Sequence, residues 1–269
     1  MRSSNKYLFS FQIGMQNAME YRANFFLSIL AAIVPIFIQT FLWISVYKNS
    51  ESSVVFGYSF AQIIQYTVIA HLVSRFVRTD FEAEINDDIK NGGLNKFIVR
   101  PIGYFTHKLC CFMGQKVVNL VVMIILFITS ILVLKFSLGV VLTAQAMVAF
   151  TISLILSLCL NFLIFFCVST LCFWLNEIGF IFEAVRIIII TLSGGVFPLS
   201  IFGSKVVSIL DLMPFKYTIN FSVDVLNSQI TGWGIARGFC IQIGWILCIA
   251  LLANFFWLIG SKKYIAVGG

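Results

Sequence analysis

Between residues 25 and 259 the chain is built mostly from long runs of Phe, Leu, Ile and Val that carry few or no charges. A helix needs about 20 apolar residues to cross the ~30 Å hydrocarbon core of a bilayer, and several of these runs reach that length. They lack the ten-residue alternation of an outer-membrane barrel, so the spans are expected to be helices. Composition points the same way: of 269 residues, 60% are hydrophobic and only 11% charged, against about 25% charged in a soluble domain. No soluble fold of this length buries so much apolar surface. The fold class is therefore an all-α integral membrane protein, a single transmembrane domain over residues 1–269.

The runs divide into six expected spans. The first covers residues 25–47, with Pro35 expected to kink it. The second covers 57–74, where His71 reads as a packing residue near the inner end. The third covers 117–134. The fourth lies within 140–173, a run too long for one straight crossing, broken by Asn176 and Glu177. The fifth starts near Ile178 and ends in LSGGVFPLS, and the sixth covers 235–259. Ahead of them, Leu8, Phe11, Met15, Ala18 and Met19 recur at helical spacing, which reads as an interfacial amphipathic helix within residues 1–24. Residues 193–234 are too irregular for a span and too apolar for a free loop. They read as a re-entrant or interfacial helix pair covered by protein.

The longest polar interruption, residues 79–101, holds five of the eleven acidic residues: Asp80, Glu82, Glu84, Asp87 and Asp88. It reads as a short helix over 80–91. Thr79 is the expected N-cap, with Glu82 completing a capping box, and Gly92 and Gly93 form a left-handed stop. Phe81, Ile85 and Ile89 make one apolar stripe. Two readings of the stripe stay open: it rests on the protein's own spans or the headgroups, or it docks on a soluble partner. Within the spans, Glu183 and Arg186 are neighbours on one helix face. They read either as a self-neutralising ion pair or, with Asn161, as polar groups lining a substrate path.

Lys and Arg set the orientation. One side of the six-span topology collects twelve of them and the other five, with Arg186 set aside as intramembrane. The rich side is cytoplasmic. Both termini and the loop 75–116 are thus expected in the cytoplasm, and 193–234 outside. The basic residues are spread over loops, which favours a topology signal over a nucleic-acid surface. The seven cysteines form no CxxC pair and read as small buried hydrophobes. The first apolar run is long enough to be a span and is not read as a cleavable signal peptide. The chain has no G-x-x-x-x-G-K-[ST] phosphate loop, no Ser/His/Asp set and no metal spacing of His and Cys.

In the order of these elements the chain resembles the membrane permease subunit of type-2 ABC exporters. EINDDIKNGGLNKFIVRPIGYF, residues 84–105, is similar to that family's acidic-apolar helix followed by glycine, a Leu/Phe pair and Arg-Pro. LSGGVFPLS and the later MPFKY are similar to its external re-entrant segment. The resemblance implies that the loop between spans two and three docks on an ATP-binding cassette subunit. The implied coupling residues are Phe81, Glu82, Glu84, Ile85, Asp88, Ile89, Gly92 and Arg100, with the stripe as the buried contact. It further implies a second permease, the same or a related chain, in a cell membrane. ATP and Mg would be held by the partner, and no cofactor by this chain. The 29 Phe residues suit an apolar or amphipathic cargo such as a lipid, peptide or drug. Three other classes make different demands on the sequence. An intramembrane enzyme would need catalytic groups in the spans, and a secondary transporter would show an inverted repeat or several midplane ionisable residues. The third is an assembly or scaffold protein.

Overall fold

A computed structural model describes residues 3–20, 22–98, 102–139, 142–175 and 178–264. Helix α1 (Ser3–Glu20) leads into α2 (Arg22–Lys48), which runs through Pro35. A two-residue hairpin follows, β1 (Val54–Val55) against β2 (Tyr58–Ser59), and leads directly into α3 (Phe60–Val77). Next come α4 (Glu82–Lys90), α5 (Asn95–Ile98), α6 (Tyr104–Leu138) and α7 (Ala144–Ser169). The last part holds α8 (Gly179–Leu192), α9 (Ser204–Leu210), α10 (Asn220–Leu226) and α11 (Trp233–Ser261).

Among the described residues, four stretches are long and apolar enough to cross a membrane: Phe60–Lys90, Tyr104–Leu138, Ala144–Phe173 and Trp233–Ser261. In α2 the stretch Ile33–Lys48 is apolar but shorter. The expected fifth span has the expected bounds, as α8, but is short. With 14 residues, α8 reaches only about 21 Å at 1.5 Å per residue, short of the ~30 Å core. The 140–173 run resolves as expected into one long helix and an extension, the 3-10 turn Thr170–Phe173. The Asn176-Glu177 break lies outside the described residues.

The capping box belongs to α3 and not to the polar loop. Ser59 Oγ accepts from Gln62 N–H, and Gln62 Oε1 accepts from Ser59 N–H at 2.9 Å. The turn before it places Phe56 and Gly57 both at positive φ, the backbone a two-residue hairpin requires. Tyr47 of α2 donates to Tyr58 O at 2.5 Å and ties the hairpin down.

Helix α7 is the central post, buried along much of its length. Apolar side chains gain nothing over lipid by meeting each other, so close packing and polar ties carry the assembly. Gln242 of α11 donates to Ser153 O at 3.1 Å, Ser157 Oγ at 3.0 Å and Tyr217 O at 3.0 Å. Ser153 and Ser222 share a 2.7 Å bond. Gly238 lies flat under the Phe221 ring, where a Cβ would collide. All seven residues of α10 are buried. Residues 193–234 thus fold into short helical pieces against α3, α7 and α11. Gly194 lets the backbone pass so near Tyr66 that its carbonyl accepts from the Tyr66 hydroxyl at 2.6 Å, and a Cβ there would meet that hydroxyl.

At the other end, α1 packs along the first half of α6. Cβ atoms added at Gly14 or Gly114 would collide with the Cys111 or Phe11 carbonyl. Ser10 Oγ lies 2.8 Å from His107 Nδ1, and Cys111 Sγ donates to Ser10 O.

Candidate functional site

A helix leaves its last carbonyls without partners. At the end of α3, where the chain leaves an apolar span for the polar loop, such carbonyls are costly. Each is met by a side chain from elsewhere. Lys116 of α6 donates to Phe76 O at 2.7 Å and to Arg78 O at 2.5 Å. Asn161 of α7 donates to Val77 O at 2.6 Å. Arg186 of α8 donates to Thr79 O at 3.1 Å. Four consecutive carbonyls, 76 to 79, are therefore held from three different helices.

Helix α4 begins at Glu82 with Phe81 at its cap and no side-chain capping bond. This corrects the expected Thr79 cap and Glu82 capping box, because Glu82 turns inward instead. Its carboxylate is 3% exposed and sits 2.5 Å from Arg186 Nη2. The apolar stripe is fully committed within the chain: Phe81 is 3%, Ile85 1% and Ile89 6% exposed. The Phe81 ring lies 4.7 Å from that of Phe162 on α7 and 5.6 Å from Phe112 on α6. Of the two open readings, the stripe resting on the protein's own spans is the one observed. The expected stripe-to-partner contact is corrected, since no stripe surface remains for a partner to cover. The exposed face of α4 is Ala83, Glu84 and Asp87, continued by its C-cap Asn91.

The far end of α4 is fixed electrostatically. Lys108 of α6, its ammonium nearly buried, bridges Glu84 at 3.0 Å and Asp88 at 2.9 Å. Tyr104 donates to Asp88 at 2.8 Å and stacks on Trp257 of α11. Gly92 takes φ +76°, the left-handed stop expected of it, while Gly93 is needed for space beside Asp88. Tyr264 near the C-terminus donates to Asn95 of α5 at 3.0 Å.

Arg186 and Glu183 do meet, at 3.5 Å, but Glu183 is 67% exposed and is the most distant of its carboxylate partners. The guanidinium turns mainly to the loop, to Glu82 and to Asp80 at 3.2 Å, and lies over the Phe165 ring. Asn161 donates to α3 and, together with Arg186, lines a cavity of about 90 Å³ beside the junction. Arg100 lies outside the described residues. Sequence reasoning missed Lys116 and Lys108; the signal was two lysines eight apart at the start of an apolar helix, each needing a partner.

A family model described as ABC-2 family transporter protein matches residues 33–268, from the middle of α2 to the tail. No curated protein matches the chain.

Proposed function

The chain belongs to the ABC-2 transporter family as a multi-pass membrane permease, and on that premise we propose that it forms the substrate pathway of an ATP-driven exporter. A separate ATP-binding cassette subunit binds and hydrolyses ATP with Mg, and two permeases, identical or related, flank the pathway. Both termini and α4 face the cytoplasm of a cell membrane, residues 193–234 face outside with their re-entrant pieces, α2 adds a crossing, and α8 together with those re-entrant pieces makes up the remaining one. The basic asymmetry supports this orientation. An apolar cleft of about 330 Å³ between α3, α6 and α7, lined by Phe76, Met123, Phe127 and Phe150 among others, supports an apolar or amphipathic cargo.

The observation that carries the reading is the α3–α4 junction. A coupling element has to be open to the partner on one side and tied to the spans on the other. Helix α4 has both properties: an exposed acidic face, and a stripe, Glu82, Glu84 and Asp88 gripped by α6, α7 and α8. Closure of the ATP-binding subunits would press on the exposed face, and the grip passes the displacement into three helices, so that the pathway alternates between inward and outward opening. Gly92, at positive φ, sets how the helix continues into α5.

Ala83→Trp with Asp87→Lys changes only exposed positions. It is expected to leave folded yield unchanged and to reduce recovery of a co-expressed ATP-binding subunit several-fold, measured per folded permease. Unchanged recovery rejects the docking face. For orientation, Ser228→Cys on a cysteine-free background is expected to react with an impermeant maleimide from outside; labelling only after the cytoplasmic face is opened overturns the topology.

A further inference from the structure

At the hairpin end of α3 a cavity of about 360 Å³ opens between the hairpin, the segment 199–207 and α10. The 18 residues of α3 put it roughly 27 Å from the α4 junction, so it is separate from the site above. Tyr58, Lys216, Asn220 and Asp224 supply polar lining, with Leu199 and Val207 as an apolar wall.

Asp224 is the unusual member. It is 8% exposed, and Oδ1 accepts from the Tyr58 hydroxyl at 3.0 Å. Among the described residues it forms no ion pair. Lys216, the cation lining the same cavity, is bound to Asp211. Asp211, Lys216 and Asp224 therefore sum to one negative charge. A carboxylate this buried, with one neutral donor and no cation in ion-pair contact, carries a desolvation cost that is only partly offset. Burial pushes its carboxyl up to about 6, against the pull of Lys216. Two things relieve such a group: a proton or a cation. A metal ion fits poorly, because hard cations need several oxygen ligands and among the described residues no group of three His, Cys, Asp or Glu converges. An organic ammonium needs one counter-ion and an apolar wall for its carbon chain, and both are present.

We infer that this cavity binds the protonated amine of a small organic ligand, with Asp224 as its counter-ion. The inference is independent of the transport reading, since it concerns the purified chain alone. The test is calorimetric titration of the full-length protein in nanodiscs with n-butylammonium, phenethylammonium and spermidine. At least one is expected to bind saturably, and the neutral isosteres butanol and 2-phenylethanol are not. Asp224→Asn keeps an acceptor for Tyr58 and is expected to weaken binding by about tenfold or more. Val207→Trp fills the cavity while leaving the Tyr58–Asp224 bond in place, and is expected to abolish binding. Affinity should fall as pH drops through about 6, where Asp224 takes up its proton. Tyr58, Tyr66, Lys216 and Asp211 also face this carboxylate, so the pH series is repeated in Asp224→Asn, where the dependence is expected to vanish. Failure of all three amines to bind, equal binding of a neutral isostere, undiminished binding in either variant, or a pH dependence that survives in Asp224→Asn would each overturn the assignment.

Discussion

Replacing Ile85 and Ile89 together by Asp is expected to deplete folded protein before any partner is involved. Both side chains are almost fully buried in the chain's own core. Losing their burial removes roughly 1.5–3 kcal/mol each, and each introduced carboxylate adds an uncompensated desolvation penalty. The sum is large against a typical net stability of about 5–15 kcal/mol. The readout is the monodisperse peak on size exclusion after detergent extraction, compared with Asp87→Lys on the exposed face of the same helix, which should elute as wild type. A monodisperse double-Asp protein that has merely lost its ATP-binding partner would show that the stripe faces outward, against the packing described above.

The second large effect falls on Arg186. Removing one member of a buried ion pair strands the other charge, typically at about 3–5 kcal/mol. Arg186→Met leaves Glu82, 3% exposed, without its cation and leaves the Thr79 carbonyl without that donor. Thermal unfolding of the purified protein should shift down strongly. Arg186→Met with Glu82→Gln removes both charges and should recover most of the loss. Glu183→Ala should cost no more than about 1 kcal/mol, the scale of an exposed pair. If Glu183→Ala is as damaging as Arg186→Met, the i,i+3 pair and not the link to α4 is the dominant contact.

These two expectations mark where the sequence was legible and where it was not. Apolar run length was enough to read helices through a membrane, and Gly92 was readable as a stop because a left-handed residue ends a helix in any context. Periodicity showed that Phe81, Ile85 and Ile89 share a face. It carries no information about what covers that face, and here α6 and α7 do. Arg186 has a carboxylate three residues away, but its closest partner stands 104 positions earlier. Local spacing rules favour the near neighbour, whereas burial favours the inward one. The Ser59–Gln62 box went unread because it follows a two-residue strand with no long polar segment to announce a helix start. Thr79–Glu82 had the right letters, but the salt bridge drew Glu82 away from capping.

The contact between α1 and α6 is made at Gly14 and Gly114, backbone against backbone, with no side chain able to fit between. Such a seam has no lubricant: sliding by one residue would drive a Cβ into a carbonyl. The first helix is thus a splint on the first half of a 35-residue rod, although the family match starts only at residue 33. A tag or fusion ahead of Ser3 would load the rod directly, and a truncation that drops the splint would bare a strip of α6 backbone together with His107 and Cys111. Engineering of this permease should treat α1 and the first half of α6 as one unit.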